Sequence, residues 1–361
     1  AAHLARALAR GGLAVTLASG GMKLRPMEGE PFAFAQLPAV RTEGVDFRTL
    51  VDEAGRAVEP GRMAARTAAL QELATRLRPD VVVTEHFPFG RRQLAEEFLA
   101  VIAAAKAANP RALVLSSVRD VLVTPKPARI VEAQERLARL FDAVLVHGEE
   151  SFLPLERSWP VDAALAGKLR YTGYLADVPA LTAAPDHGEI LVSGGGSAAA
   201  LPLFALALRA ARLGPARWRW RVLVGRGVSE EAFLCLAGAA SDRVVVERAR
   251  PDFPVLLAGC ALSISQAGYN TVLDLVAARR PAIVVPFDEG AETEQAVRAE
   301  ALEQAGLALC LRLSGLRPLT AEALVRAIET RIGGAVPAGG PRPDDAGRAV
   351  AVVKRLLDER R

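Results

Sequence analysis

The chain has 361 residues, of which 51% are hydrophobic and 24% charged, so two globular domains are predicted and a disordered chain is excluded. Its net charge of +4 is compatible with phosphates, nucleotides or an anionic membrane face, whereas an aromatic content of 5% argues against nucleic-acid binding by base stacking. No apolar run reaches the roughly 18–20 residues that span a bilayer, no signal peptide is recognised, and the three cysteines lack CxxC spacing, which favours a reducing cytoplasm.

Short apolar runs alternate with longer amphipathic runs along most of the chain. Strands are predicted over 13–18, 80–84, 112–117, 142–146, 189–193, 219–224, 242–247, 261–265, 281–285 and 307–311. Helices are predicted over 60–77, 91–107, 127–140, 198–212, 229–240, 270–279, 291–305, 319–331 and 344–360. Because most strand runs are continuously apolar, we expect parallel sheets buried on both faces, in a doubly wound α/β fold.

The alternation is interrupted at 171–188, a segment rich in Pro, Gly and Asp that is predicted to be a linker. It divides the chain into an N-terminal domain, 1–175, and a C-terminal domain, 176–335. The last segment, 336–361, carries a helix that is expected to pack back across the junction. Two open α/β domains are expected to face one another across a cleft lined by the carboxyl ends of their strands, where ligands bind.

Four polar residues at the ends of predicted strands in the N-terminal half are expected to face this cleft. They are Glu85 and His86 after one strand, and Arg119 and Asp120 after the next. Glu85 or His86 has the chemistry of a general base. Arg119 can neutralise a developing anion, and Asp120 can hold Arg119. His86 is equally compatible with a surface loop residue beside a charge cluster.

A run of three glycines, "SGGGS" at 193–197, follows a predicted buried strand and precedes a helix. Glycine permits close backbone approach, and a helix start offers free N–H groups to a phosphate. The run also fits a dinucleotide-binding pattern, but the next strand ends at Arg226 with no acid for a ribose hydroxyl. A tight turn with no ligand remains the alternative interpretation.

The stretch "SQAGYNTVLDL" at 265–275 places Asn270 and Thr271 where they are expected to cap a helix. Asp274 is expected to project from the first turn of that helix and to accept hydrogen bonds from vicinal sugar hydroxyls. The acidic loop that follows the next strand offers hydroxyl-binding side chains at Glu292, Glu294 and Gln295.

The C-terminal half resembles the MurG-type glycosyltransferases of the GT-B fold, glycosyltransferase family 28, in a bacterial branch of predicted glycosyltransferases. The resemblance rests on 193–197, 265–275 and 285–306. It implies two Rossmann-like domains, a nucleotide-sugar donor that is UDP-linked, a role for Asp274 on the ribose, and contacts from Glu294 and Gln295 to the donor sugar. By this resemblance the donor-binding residues are Ser193, Gly194, Gly195, Gly196, Ser197, Arg226, Ala249, Arg250, Ser265, Gln266, Ala267, Gly268, Tyr269, Asn270, Thr271, Asp274, Glu292, Glu294 and Gln295.

The N-terminal half matches this family more loosely. "HLARALARGG" at 3–12 is predicted to be the remainder of a first helix, so the first strand and glycine loop of the family are expected to be missing. No DxD pair or His–Cys cluster indicates a metal site, so neither a metal nor a cofactor is expected.

The resulting hypothesis is an inverting, metal-independent transfer of a sugar, for example an N-acetylhexosamine, from a UDP-sugar to an unidentified hydroxyl acceptor. A lipid-linked or cell-envelope acceptor and peripheral contact with the inner face of the membrane follow only by family analogy. The alternatives are a nucleotide-sugar hydrolase or 2-epimerase on the same scaffold, or a non-catalytic binding subunit.

Overall fold

The structure, a computed structural model, describes residues 1–22, 29–42, 49–175, 186–196, 198–287, 293–315, 318–337, 339–341, 343–344 and 346–360. Its strands are β1 Thr16–Ser19, β2 Ala33–Gln36, β3 Arg41–Thr42, β4 Leu50–Val51, β5 Val81–Glu85, β6 Leu113–Arg119, β7 Ala143–His147, β8 Leu169–Tyr171, β9 Tyr174–Leu175, β10 Ile190–Ser193, β11 Trp220–Val224, β12 Val244–Arg248, β13 Leu262–Ser265, β14 Ala282–Val284, β15 Leu309–Cys310 and β16 Pro343–Asp344.

Its helices are α1 Ala2–Arg10, α2 Pro60–Leu77, α3 Ala95–Ala108, α4 Pro127–Leu140, α5 Ala163–Ala166, α6 Leu201–Leu213, α7 Glu230–Ala237, α8 Phe253–Ala258, α9 Tyr269–Ala278, α10 Glu294–Gln304, α11 Ala321–Arg331 and α12 Gly347–Arg360. Three short 3₁₀ segments are Arg92–Leu94, Leu155–Arg157 and Ala198–Ala200. Every predicted strand run overlaps an observed strand, but the short strands β2 to β4, β8, β9 and β16 and the short helices α5 and α8 were not predicted.

The C-terminal sheet has six parallel strands in the order β12-β11-β10-β13-β14-β15. The centre of this sheet is buried on both faces by apolar side chains: Ile190, Leu191 and Val192 are at most 1% exposed. This order reverses direction between β10 and β13, and in such sheets ligands bind beyond the carboxyl ends of the strands at the reversal.

The N-terminal sheet has four parallel strands in the order β5-β6-β7-β8, and β1 and β2 form a separate parallel pair. α1 and α12 cover one face of β6 and β7 through Leu4, Leu8, Ala349 and Val353. On the other face, α3 and α4 contribute Ile102 and Leu137 to a second apolar cluster. The doubly wound α/β fold with two Rossmann-like sheets is therefore confirmed.

The last described segment of the chain returns to the N-terminal sheet. β16 pairs in parallel with β9, and α12 packs on α1. The residues 176–185 of the predicted linker lie outside the described residues, so the domain boundary near residue 175 stays a prediction.

The two sheets are joined by small apolar clusters that contain residues of both halves. One cluster unites Val121 and Leu153 with Ala301 of α10, and another unites Tyr174 with Tyr269 and Leu273 of α9. These contacts bring the carboxyl end of β6 close to the start of α9 and to α10.

Candidate functional site

The three-glycine loop lies at the reversal point of the C-terminal sheet. Ser193 at the end of β10 is paired in register with Ser265 at the end of β13, so the segments that follow both strands lie side by side. Ser193 is 8% exposed, while the hydroxyl of Ser265 is buried and has no hydrogen-bond partner among the described residues.

The positions of this loop differ in whether, and why, the fold requires glycine there. A Cβ on Gly194 would overlap that of Ala200, and Gly195 has a φ of 67°, in the left-handed region. Gly225, after β11, packs so tightly on Gly195 that a Cβ there would overlap the Gly195 carbonyl. Gly196 alone has open space around its missing Cβ and no positive φ, so the fold itself does not require glycine there.

The start of α9 faces this loop. Gln266 donates from Nε2 to the carbonyl of Ala199 at 3.1 Å, which ties the two segments together. The helix begins at Tyr269 with Gly268 as its N-cap, and no side chain of the described residues caps it. The expectation that Asn270 and Thr271 cap this helix is therefore wrong. The uncapped N–H groups and the helix dipole make this end suitable for an anion.

Asp274 lies in the second turn of α9, not in the first as expected, and one turn beyond Asn270 on the same face. The carboxylate is half-buried and receives no hydrogen bond or ion pair from any described residue. Burial raises its pKa from 3.8 to about 6. A buried carboxylate without a protein partner is destabilising unless something else provides donors.

The start of α10 adds two further predicted residues. Gln295 accepts through Oε1 from the backbone N–H groups of Ala267 and Phe287, at 3.2 and 3.1 Å. It therefore joins the loops after β13 and β14, and its Nε2 is the atom that remains to donate to a ligand. Glu294 accepts from Arg298 at 3.2 Å. The predicted residues Ser197 and Glu292 lie outside the described residues.

The remaining donor candidates lie after β11 and β12. Arg226 is exposed next to the glycine loop, whose Gly196 carbonyl accepts from the N–H of Gly227 at 2.9 Å. The N–H of Ala249 donates to Val224 at 2.9 Å and so extends the pairing of β12 with β11. The Arg250 guanidinium donates to Asp252 at 2.6 Å, and its side chain is 42% exposed.

On the opposite side, Glu85 ends β5 and His86 follows it. The backbone of His86 has a φ of 62°, an unfavourable left-handed conformation for a histidine that is often found at functional sites. Burial lowers the pKa of His86 to about 4, although the Glu85 carboxylate opposes this shift. Burial acts to raise the pKa of Glu85, but nearby positive charges, among them the Arg91 guanidinium, outweigh it, so the net shift is downward.

Arg119 is exposed at the end of β6, with its Cζ 5.6 Å from the ring centroid of Tyr269. It therefore places a positive charge from the N-terminal half beside the first residue of α9. The expectation that Asp120 holds Arg119 is wrong: Asp120 is fully buried and instead accepts from Arg298 of α10, at 2.9 and 3.0 Å. The physical reason is that successive side chains of a strand point to opposite faces of the sheet, so Asp120 points away from Arg119.

The sequence did not single out the contacts that join the two halves. The hydroxyl of Tyr269 donates to the carbonyl of His147 at 3.1 Å and accepts from the N–H of Leu175 at 3.2 Å. The His147 side chain is buried between the hydroxyls of Ser117 and Thr172, both at 2.7 Å, and burial lowers its pKa to about 3. It is therefore a neutral structural histidine.

Comparison with known proteins agrees with this architecture. The fold is similar to that of Acinetobacter baumannii MurG, with a TM-score of 0.62 and 16% identity over 98% of this chain and 94% of that one. It is also similar to the Streptomyces sp. SF2575 glycosyltransferase SsfS6 in complex with thymidine diphosphate, with a TM-score of 0.53 and 18% identity over 99% of this chain and 90% of that one. These likenesses define a GT-B fold.

Residues 189–332 match the glycosyltransferase family 28 C-terminal domain. The chain is also similar to the UDP-N-acetylglucosamine–N-acetylmuramyl-(pentapeptide) pyrophosphoryl-undecaprenol N-acetylglucosamine transferases of Rhodopseudomonas palustris (strain BisB18) and Thiobacillus denitrificans. Both are 32% identical, over 44% and 54% of this chain, and the matches cover 45% and 52% of the relatives. The chain thus spans about half the length of the curated relatives it matches. The resemblance to MurG-like GT-B glycosyltransferases that the motifs predicted is thus confirmed, and it is carried in sequence by the family 28 match of the C-terminal half.

Two further observations concern the surroundings of the site. Within the described ranges, no three His, Cys, Asp or Glu side chains converge as metal ligands would. Among the described helices, none combines the length with the apolar character that a bilayer crossing requires.

Proposed function

We propose that this protein transfers a sugar, for example an N-acetylhexosamine, from a UDP-sugar to a hydroxyl acceptor, with inversion at the anomeric carbon. The observation that carries the proposal is the unpartnered carboxylate of Asp274, one turn inside an uncapped helix that faces a glycine loop. The family 28 match over the same segment and the names of the curated relatives support a nucleotide-sugar donor.

In this proposal the diphosphate of the donor lies between the Gly194–Gly196 loop and the start of α9. Backbone N–H groups and the helix dipole stabilise its negative charge. The ribose hydroxyls donate to Asp274, which supplies the hydrogen-bond donors that the buried carboxylate lacks. Glu294 and Gln295 contact hydroxyl groups of the sugar.

The acceptor hydroxyl then attacks the anomeric carbon. The new bond from the acceptor oxygen forms as the bond between carbon and the β-phosphate oxygen breaks, and the electron pair leaves with UDP. The acceptor proton passes to the Glu85–His86 pair, in which burial keeps the His86 imidazole neutral and so able to accept a proton. Arg119 stabilises the charge that develops on the leaving diphosphate, so that no metal ion and no cofactor is required in this proposal.

The acceptor is proposed to be lipid-linked or part of a cell-envelope glycan, because the names of the curated relatives specify a pyrophosphoryl-undecaprenol acceptor. Contact with the inner face of the membrane from the cytoplasm belongs to the same proposal.

Calorimetric titration of the purified protein with UDP, GDP, TDP and NADPH tests the donor half. UDP is expected to bind at micromolar concentration and more tightly than GDP, with no effect of a chelator. NADPH binding with no response to any nucleoside diphosphate would mean that the glycine loop serves a dinucleotide, and the transferase proposal would be abandoned.

Gly196→Ala is expected to weaken UDP binding about tenfold without loss of stability, because only a bound ligand would collide with the added methyl group. Gly61→Ala is the matched control, since Gly61 on α2 also has open space at its Cβ and belongs to the N-terminal half, which carries none of the donor-binding residues. Gly194→Ala should instead lower the free energy of unfolding by about 1–3 kcal/mol, through overlap with Ala200. Full UDP affinity in Gly196→Ala would place the diphosphate elsewhere.

A further inference from the structure

Arg298 is a buried cation that joins the two halves of the protein. Its side chain is 2% exposed, and its partner Asp120 is 0% exposed. Nε and Nη2 of Arg298 both donate to Asp120 Oδ1, at 3.0 and 2.9 Å, and the Tyr174 hydroxyl donates to Asp120 Oδ2 at 3.2 Å. A guanidinium held in this way has a fixed orientation.

The same guanidinium also reaches the proposed sugar-binding residue. Nη2 of Arg298 donates to Glu294 Oε2 at 3.2 Å, across one turn of α10. Glu294 is the first residue of that helix, and its side chain is 23% exposed. The Glu294 carboxylate is therefore held by a buried group, although the side chain is not itself fully buried.

Asp120 connects Arg298 and Glu294 to the N-terminal half, at the position directly after the exposed Arg119. It directly follows Arg119, the exposed cation beside Tyr269, and its Oδ1 also accepts from the N–H of Val121 at 2.8 Å. The guanidinium of Arg298 therefore contacts both Glu294 and the residue that directly follows the β6 end.

We propose that Arg298 is a positioning residue for donor-sugar recognition: anchored on Asp120 of the opposite half, it sets the orientation in which Glu294 meets a sugar hydroxyl. The proposal rests on the function proposed above. It predicts that sugar selectivity depends on the junction between the two halves, whereas nucleotide affinity does not.

Arg298→Lys is the informative substitution. Lysine keeps the positive charge, but it lacks the planar set of N–H donors with which arginine binds Asp120 and Glu294 together. Affinities for UDP, UDP-N-acetylglucosamine, UDP-glucose and UDP-galactose would be measured by calorimetry. Arg298→Lys is expected to leave UDP affinity within about twofold and to weaken the preferred UDP-sugar about tenfold, so that the three sugars become nearly equal. Glu294→Gln should give the same pattern, and the double variant should be no worse than either single variant.

Arg157→Lys is the matched control. Arg157 pairs with Glu300 of α10 at 3.4 Å across the same junction, but this pair is exposed and does not touch Glu294. Arg157→Lys should therefore change neither the affinity for UDP nor the selectivity among the UDP-sugars. Where Arg298→Lys does not fold, Asp120→Asn provides the same readout, since it loosens the anchor and leaves Arg298 in place.

The outcomes separate the two proposals. If the wild-type protein binds no UDP, the proposed function fails and this inference fails with it. If the wild-type protein discriminates among the UDP-sugars and Arg298→Lys or Asp120→Asn retains that discrimination, only the positioning role is wrong. A parallel loss of UDP and UDP-sugar affinity would make Arg298 a purely structural residue.

Discussion

Asp274→Asn is expected to weaken UDP binding about 10- to 100-fold and, at the same time, to stabilise the unliganded protein. The binding loss follows because a carboxylate can accept hydrogen bonds from two ribose hydroxyls, and an amide offers only one acceptor atom. The gain in stability follows because the carboxylate is half-buried without a partner. Calorimetry with UDP and thermal unfolding without ligand measure the two effects.

The pH dependence of this stability change has a definite sign. The pKa of Asp274 rises from 3.8 to about 6 on folding, so the folded protein holds this proton more tightly than the unfolded chain does. The penalty therefore develops as pH rises from about 4 to 6 and is complete above it. Partial exposure reduces it to about 1–2 kcal/mol. Asp274→Asn should stabilise the protein at pH 7.5 and less so at pH 5.

Asp242→Asn makes the same chemical change at an exposed position outside the site and should alter neither quantity. UDP affinity that is unchanged in Asp274→Asn would refute the ribose role, whatever happens to stability.

His86→Asn is expected to lower kcat by about 10²- to 10⁴-fold, with UDP affinity within about twofold, because the acceptor proton loses its base while the donor site is untouched. Activity is measured as UDP release at saturating donor. His187→Asn is the control, since His187 precedes β10 at the opposite end of the sheet. Full turnover in His86→Asn together with loss of turnover in Glu85→Gln would assign the base to Glu85.

The pH profile provides a second test of the same base. Since the pKa of His86 is lowered to about 4, the imidazole is neutral at pH 7, and kcat should fall only as pH approaches 4. The Glu85 carboxylate raises this pKa, so Glu85→Gln should move the acidic limb to still lower pH. Donor affinity should fall earlier, near pH 6, as Asp274 becomes protonated and loses acceptor capacity.

Local patterns predicted the elements of the fold well where a strong signal marked their ends. α2 and α4 begin at Pro60 and Pro127 as predicted, because proline is favoured in the first turn of a helix and disfavours helix in the residue before it. β2, β3 and β4 were missed because they are short and only partly buried, so their residues show neither continuous apolar character nor alternation.

The site was predictable to the extent that strand ends determine it. The glycine loop, α9 and α10 each come after a strand of the same parallel sheet, so the order of the strands in that sheet already brings them close together. The partner of Asp120 was not predictable, because Arg298 is 178 residues away in the sequence and the pairing depends on how two domains meet. The absence of a cap on α9 was likewise decided by geometry, since Asn270 and Thr271 lie inside the helix.

The parallel pairing of β9 with β16 has a mechanical consequence. The polypeptide passes between the halves once on its way out and once on its return, and the two passages are hydrogen-bonded to one another. This backbone pairing adds to the apolar clusters and to the buried Arg298–Asp120 ion pair, so the two halves are held together by main chain and side chains alike.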